Sequence, residues 1–127
     1  MDAMKTAQNY LDEANAAVPK ITVEEGMEKH KAGSSVFVDV RDSGDIAASG
    51  TIAGAVRVAR GMIEFRADET HALHNPALTK DADIVLVCGA GGQAALAGKT
   101  LKEMGYTSVS NVGGFPAWRD AGGPTEA

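Results

Sequence analysis

The sequence predicts an α/β fold, a single domain with a central parallel sheet of about five strands and helices on both faces. Short apolar segments alternate along the chain with segments of helical periodicity, which is typical of parallel strands joined by crossover helices. Two of the apolar segments, Val36–Val40 and Ile84–Val87, are almost uninterrupted, as expected for strands buried on both faces. The composition does not shift along the 127 residues, of which 44% are apolar, so we predict one core.

The bulk composition excludes several classes of function. The formal net charge is -5 and the lysines and arginines are not clustered, which argues against a general nucleic-acid surface. No stretch approaches the roughly 20 apolar residues of a membrane helix, and the N-terminus lacks the pattern of a signal peptide. The single cysteine excludes an intramolecular disulfide and suits a reducing compartment. We therefore expect a cytoplasmic protein that binds neither nucleic acid nor membrane.

The first predicted element is an amphipathic helix that Pro19 ends. We divide the chain into this N-terminal segment, residues 1–19, and a main domain, residues 20–127. The apolar stripe of the helix needs a partner, and two alternatives stay open: it packs on its own domain, or it forms a homodimer contact. The stripe repeats in steps of three and four residues at Met4, Ala7, Leu11, Ala14 and Val18.

The remaining elements follow from caps, apolar runs and glycines. Thr22 is a helix-capping residue followed by acids, and it begins a second helix that ends near Gly33. Besides the two buried strands, short strands are expected at Ala55–Val58 and Ser108–Val112. Helices are expected near residues 43–49, 61–66, 93–104 and 115–121.

Cys88 is the only cysteine and follows directly on the strand Ile84–Val87. A glycine-rich stretch comes next, and a helical pattern begins at Gln93, so the thiol faces a helix N-terminus. The N–H groups there carry partial positive charge and favour the thiolate form of a cysteine. Ligands of open parallel sheets bind at the carboxyl ends of the strands, so we predict that Cys88 is a nucleophile.

The sequence around Cys88 partly matches three nucleotide-binding or phosphate-binding motifs, but none of the matches is complete. Residues 89–94 fit the dinucleotide pattern G-x-G-x-x-A, but no acidic residue follows about 20 positions later. Gly98-Lys99-Thr100 imitates the end of a P-loop, yet Gln93 stands where the motif needs glycine. A cysteine phosphatase loop would place an arginine six residues after the nucleophile, where this chain has Ala94.

Over residues 20–125 the sequence resembles the single-domain rhodanese-like sulfurtransferases. Asp39-Val40-Arg41 with Asp45 looks like the family's D-V-R-x-x-x-E motif, and residues 50–55 look like its G-H-I-P-G-A motif. Residues 60–65 with 74–76 resemble a thiosulfate sulfurtransferase branch. Residues 113–118 with 122–124 resemble the family's C-terminal turn.

The resemblance implies transfer of a sulfane sulfur without a cofactor or metal. In this family the cysteine thiolate attacks the outer sulfur of thiosulfate or of a persulfide donor, and the resulting persulfide passes its sulfur to a thiol, cyanide or a protein. Cys88 would be the persulfide carrier, and the six-residue loop that it begins has the size associated with sulfur substrates. The substrate-binding residues would be Gly89, Ala90, Gly91, Gly92 and Gln93.

The chain also departs from the family pattern. Gln93 and Ala94 stand where active members usually have arginine and serine, and Thr51 and Ala53 replace the usual histidine and proline. We hypothesise that Arg66, at a position where the branch usually has an aromatic residue, swings over the loop and restores a positive charge. The alternative is that Arg66 is an ordinary solvated arginine.

Other conspicuous residues are interpreted as structural. Asp39 and Arg41 are two residues apart at a strand end, and we predict an ion pair that shapes the site. His71 and His74 lack a nearby third ligand, so we predict no metal site, and Trp118 is expected to fill the core.

Two functions therefore remain. The first is a thiosulfate sulfurtransferase that uses Cys88. The alternative is a weakly catalytic or non-catalytic rhodanese-like module for sulfur relay or partner binding, which Gln93 favours because a protein acceptor needs less of an oxyanion site.

Overall fold

Six strands and six helices make up the structure, a computed structural model that describes residues 4–127. The strands are β1 (Ser35–Asp39), β2 (Thr51–Ile52), β3 (Val56–Arg57), β4 (Asp83–Cys88), β5 (Ser108–Gly114) and β6 (Thr125–Glu126). The helices are α1 (Ala7–Ala17), α2 (Val23–Ala32), α3 (Ser43–Ser49), α4 (Ile63–Ala67), α5 (Gly92–Glu103) and α6 (Phe115–Asp120). A 3₁₀ turn at Arg60–Met62 precedes α4, where the sequence predicted one helix over 61–66.

Four parallel strands form the central sheet in the order β3-β1-β4-β5, which confirms the predicted fold class. The sheet has one strand fewer than the expected five or so. β2 does not join it but pairs antiparallel with β6 in a separate ribbon. At the free edge of β5, Lys20 forms a single parallel bridge with Asn111, so the segment before α2 covers this edge without becoming a full strand.

The two faces of the sheet bury two separate groups of side chains. Because alternate residues of a strand point to opposite faces, Ile84, Leu86 and Cys88 of β4 pack on the side of α4 and α5. Val85 and Val87 pack on the other side, together with Phe115 and Trp118 of α6. Cys88 therefore points toward the same layer as α5, the helix that follows it in the chain.

Helix α1 begins later than the sequence predicted. Thr6 and Asn9 form a reciprocal capping box, which fixes the first turn at Ala7. The expected helix included residues 1–3, which lie outside the described residues. Ala14 is buried and α1 packs against α5. The division of the chain at residue 19 stays a prediction.

No helix within residues 4–127 has the length and apolar character needed to cross a membrane. Lys29 of α2 forms an ion pair of 2.8 Å with Asp83 at the start of β4.

Candidate functional site

Cys88 lies at the carboxyl end of β4, a central strand of the sheet. Its side chain is 1% exposed and points toward the start of α5. The chain leaves β4 at Cys88 and begins α5 at Gly92, so only three residues, 89–91, connect the strand to the helix. This short connection presses the thiol against the helix N-terminus.

Two backbone N–H groups donate hydrogen bonds to Cys88 Sγ. The donor–sulfur distances are 3.0 Å from Gly91 and 3.3 Å from Ala94, the third residue of α5. Hydrogen bonds to a charged acceptor contribute roughly 1.5–3 kcal/mol each, and the helix dipole acts in the same direction. The arrangement stabilises a negative charge on sulfur without a cationic side chain.

Gly91 requires the backbone freedom of glycine. Its φ of 100° and ψ of -17° lie in the left-handed region, and this conformation turns the chain sharply enough for the N–H to face Sγ. Gly91 is one of residues 89–93, which the sequence predicts to bind substrate. The sequence did not point to Ala94 as a donor, although the third position of a helix is a usual place for a free N–H group.

The loop borders three open clefts. One has a volume of about 270 Å³ and is lined by Ala90, Gly91, Gly92 and Asn111, among others, and Gln93 lines the other two. The front cleft has a volume of about 420 Å³ and is lined by Arg41, Ser49, Gly89, Gln93 and Pro116, among others. The side cleft has a volume of about 530 Å³ and includes Tyr10, Leu11, Arg60, Gln93 and Leu96. Of the predicted substrate-binding residues, Gly89, Ala90 and Gln93 are exposed, and Gly91 and Gly92 are half-buried.

Arg60 lines the side cleft and Arg41 lines the front cleft, each together with Gln93, whereas Arg66 lines neither. The Arg60 guanidinium donates to Glu64 at 3.2 Å and to Thr100 Oγ1 at 3.1 Å, which ties the 3₁₀ turn to α5. Arg66 is exposed on α4 and lies outside the set of residues that line these two clefts within the described part of the chain. Its proposed compensating role stays a prediction. The sequence signal for Arg60 was its place in the 60–65 motif.

Asp39 and Arg41 form a buried ion pair of 2.7 Å. Thr51 Oγ1 donates to Asp39 at 2.7 Å, and Arg41 donates to Ser49 Oγ and to the Gly50 carbonyl, both at 2.8 Å. These bonds satisfy both charges in the interior and fix α3 and β2 against the end of β1. Arg41 therefore shapes the front cleft from a fixed position.

The histidines and the tryptophan singled out in the sequence make local contacts. His74 Nε2 lies 2.9 Å from the Leu78 carbonyl, and His71 Nδ1 accepts from the Leu73 N–H at 3.0 Å. Trp118 is fully buried, and its Nε1 donates to the Pro124 carbonyl at 2.9 Å. Among residues 4–127, no three His, Cys, Asp or Glu side chains are grouped so that they could hold a metal ion.

Comparison with protein families gives a match over most of the chain. The model described as "Rhodanese-like domain" matches residues 22–121. Among curated proteins, one with the name "Putative sulfur carrier protein YrkF", from Bacillus subtilis (strain 168), is 27% identical over 124 residues, which are 97% of this chain. The chain spans only 61% of the length of that relative.

Solved structures give similar results. A protein of unknown function from Rhodopseudomonas palustris, described as a possible tyrosine phosphatase, is 38% identical with a TM-score of 0.91, and the match covers 99% of this chain and 98% of that chain. A polysulfide-sulfur transferase homodimer from Wolinella succinogenes is 25% identical with a TM-score of 0.71 and coverage of 91% and 83%. The human single-domain sulfurtransferase TSTD1, 23% identical with a TM-score of 0.71 and coverage of 81% and 96%, shares the fold.

Proposed function

This chain belongs to the rhodanese-like domain family, and we propose that it transfers a sulfane sulfur through a persulfide on Cys88. The observation that carries the proposal is the pair of N–H groups, from Gly91 and Ala94, that donate to Cys88 Sγ at the end of β4. Such donors stabilise a thiolate before the reaction and an anionic persulfide after it. The cysteine can therefore act as nucleophile and as leaving group without a metal.

The proposed reaction has two displacement steps. The Cys88 thiolate attacks the outer sulfur of thiosulfate, the sulfur–sulfur bond of the donor breaks, and sulfite leaves with the electron pair. An acceptor, which is a thiolate, cyanide or a protein thiolate, then attacks the terminal sulfur of the persulfide, and the Cys88 thiolate leaves. A persulfide or polysulfide donor replaces thiosulfate in the first step with a thiolate or a shorter polysulfide as the leaving group.

Gln93 bears on the choice of donor. A neutral amide replaces a charge-assisted bond worth roughly 1.5–3 kcal/mol, so affinity for the thiosulfate oxygens falls by about one to two powers of ten relative to a loop with arginine. Donors that carry no sulfonate group do not use this bond, so the replacement does not lower their affinity. The second candidate function is therefore a sulfur relay that is loaded by a persulfide or polysulfide and unloaded by a protein acceptor.

Phosphatase chemistry is less well supported by the same loop. Ala94 occupies the position where a cysteine phosphatase needs an arginine for the phosphoryl oxygens, and the Ala94 N–H is directed at Cys88 Sγ.

We place the reaction in the cytoplasm, where a single cysteine stays reduced. A homodimer through α1 remains a further prediction.

The test is intact mass spectrometry of the purified protein after incubation with thiosulfate or with polysulfide, beside a Cys88→Ala variant. We expect a gain of one sulfur atom that depends on Cys88 and disappears on addition of cyanide, and we expect polysulfide to load the protein more completely than thiosulfate. If neither donor adds sulfur to the wild-type protein, the sulfur-transfer proposal is wrong.

A further inference from the structure

Asn111 is a buried polar residue of β5 that the proposed reaction does not yet use. Its side chain is 2% exposed. Its backbone is already paired at the edge of the sheet, since its N–H donates to the Pro19 carbonyl and its carbonyl accepts from the Ile21 N–H, both at 2.9 Å. The carboxamide therefore does not contribute to strand pairing.

The carboxamide of Asn111 connects the end of β5 to the loop after Cys88. Its Nδ2 donates to the Gly91 carbonyl at 2.9 Å, and its Oδ1 accepts from the Gly113 N–H at 2.8 Å. The opposite orientation of the amide would place an oxygen against a carbonyl and an NH₂ group against an N–H, so both contacts depend on this orientation. Only a side chain with a donor and an acceptor at this spacing satisfies both partners.

Gly91 is also the residue that donates the shorter of the two hydrogen bonds to Cys88 Sγ. Glycine at this position and at the next has a wide choice of backbone conformations, so the direction of the Gly91 N–H is not fixed by the local sequence. The Gly91 carbonyl, on the other side of the Gly91 Cα, accepts the Ala95 N–H at 3.0 Å as well as the Asn111 amide, and these two bonds together restrict rotation of the Gly91 backbone. Two bonds, from Asn111 to Gly91 and from Gly91 to sulfur, link β5 with the thiol.

We propose that Asn111 is a positioning residue that aims the Gly91 N–H at the sulfur of Cys88. This role rests on the proposed function, because an anionic sulfur is what the N–H stabilises. Without the Asn111 amide only the Ala95 N–H holds the Gly91 carbonyl, so the Gly91 backbone turns more freely and its N–H is directed at the sulfur for only part of the time.

Two variants test the role. Asn111→Leu keeps the approximate size but removes both hydrogen bonds, and Asn111→Asp still accepts from the Gly113 N–H but, when ionised, cannot donate to the Gly91 carbonyl. The matched control is Ser110→Ala. Ser110 precedes Asn111 on β5, is buried, and its Oγ makes no hydrogen bond within the described chain, so its loss leaves the loop untouched.

The readout is the rate at which iodoacetamide, a small neutral reagent, alkylates Cys88 at pH 7 and at pH 10, with the thermal transition of each variant measured at both pH values. Loss of one charge-assisted bond predicts a rate about tenfold lower at pH 7 in either Asn111 variant. At pH 10 a thiol is ionised in any case, so the rates there should match wild type. Ser110→Ala should behave like wild type at both pH values.

Either Asn111 variant tests the proposal if it keeps a cooperative thermal transition, which shows that the variant is folded. Equal rates at pH 7 in such a variant and in the wild type would overturn the proposal, as would a rate lowered equally at pH 7 and pH 10, which indicates general loosening of the loop. Alkylation of Cys88 does not require sulfur transfer. The alkylation rates would therefore still test the role of Asn111 if the mass-spectrometric test showed no sulfur transfer.

Discussion

The burial of Cys88 limits which molecules can react with it. The thiol is 1% exposed, so a donor must bring its reactive sulfur into the site rather than approach with a broad surface. A persulfide sulfur would extend outward by one sulfur–sulfur bond, about 2 Å. Under the proposed function, this terminal sulfur is the atom that an acceptor, including a protein thiol, must reach.

Arg60 and Arg66 give competing predictions for the binding of an anionic donor. Arg60 is partly buried, with 28% of its side chain exposed, and shares the side cleft with Gln93. A partly buried cation contributes more to anion binding than an exposed one, because solvent screens it less. We expect Arg60→Ala to raise the KM for thiosulfate about threefold to tenfold and Arg66→Ala to leave it unchanged.

The measurement is steady-state sulfur transfer from thiosulfate to cyanide, repeated with polysulfide as a donor that lacks the sulfonate. Arg60→Ala should affect the thiosulfate KM more than the polysulfide KM. A raised KM for thiosulfate in Arg66→Ala, with none in Arg60→Ala, would instead support the hypothesis that Arg66 swings over the loop.

At the scale of secondary-structure elements, the end of β5 packs tightly against the loop after Cys88. A Cβ atom at Gly114 would clash with the carbonyl oxygen of Gly89 and would lie 3.2 Å from the Ala90 Cα. Gly114 pairs with Cys88 in the sheet, so the two elements cannot separate without breaking the register. The absence of a side chain at Gly114 therefore sets the path of the loop.

We predict that Gly114→Ala shifts the loop and lowers both stability and sulfur loading. Overpacking of this kind costs roughly 1–3 kcal/mol of unfolding free energy. Gly44→Ala is the control, because a Cβ at Gly44, in α3, would meet no atom within 4 Å outside its chain neighbours and the nearby backbone of its own helix. Urea unfolding and the mass-spectrometric assay should show a loss in Gly114→Ala only, and equal behaviour of the two variants would contradict this account of the loop.

Elements with a local signal were predictable from the sequence, and elements that depend on distant partners were not. The buried strands, the cap at Thr22 and the glycine after α2 all carry their signal within a few residues. The β2–β6 ribbon was not predicted, because each of its strands has two residues and is defined only by the other, more than 70 positions away in the sequence. The bridge between Lys20 and Asn111 was missed for the same reason.

The residues of the candidate site also divide, at the scale of the whole molecule, into those with a local sequence signal and those that depend on distant partners. Ten consecutive residues are enough to place Cys88 at a helix N-terminus, and Gly91 was among the residues predicted to bind substrate. The contact from Asn111 joins positions 20 residues apart, and the placement of Arg60 beside α5 is fixed by Thr100, 40 residues later. Packing, rather than local pattern, selects these partners.

Asp83 joins four elements at the end of the sheet opposite the site. Its carboxylate accepts hydrogen bonds from Lys29 of α2 at 2.8 Å, from Ser35 of β1 at 2.6 Å and from Ser108 of β5 at 2.6 Å. Burial by itself raises the pKa of Asp83, but the three hydrogen bonds and the charge of Lys29 outweigh it and hold the pKa below its ordinary value of 3.8. The charged carboxylate is thus favoured in the folded state.

This arrangement predicts how the stability of the whole fold responds to acid. Because the pKa is lower in the folded protein, the contribution of Asp83 is fully present above about pH 4 and is lost as the pH falls below 3.8 through the folded-state value. Asp83→Asn lacks this charge at every pH. At pH 7 the variant should be less stable than wild type by about 1–2 kcal/mol, and this gap should narrow below pH 3.8.

Urea unfolding of both proteins at pH 7 and at a series of values below pH 4 measures the gap directly, and taking the difference cancels the other acidic residues. Asp81→Asn, which changes an exposed aspartate two residues earlier, is the matched control and should follow the wild-type curve. A gap between Asp83→Asn and wild type that stays constant through the acid range would mean that the carboxylate acts through its shape and neutral hydrogen bonds. In that case its charge would not hold the strands together.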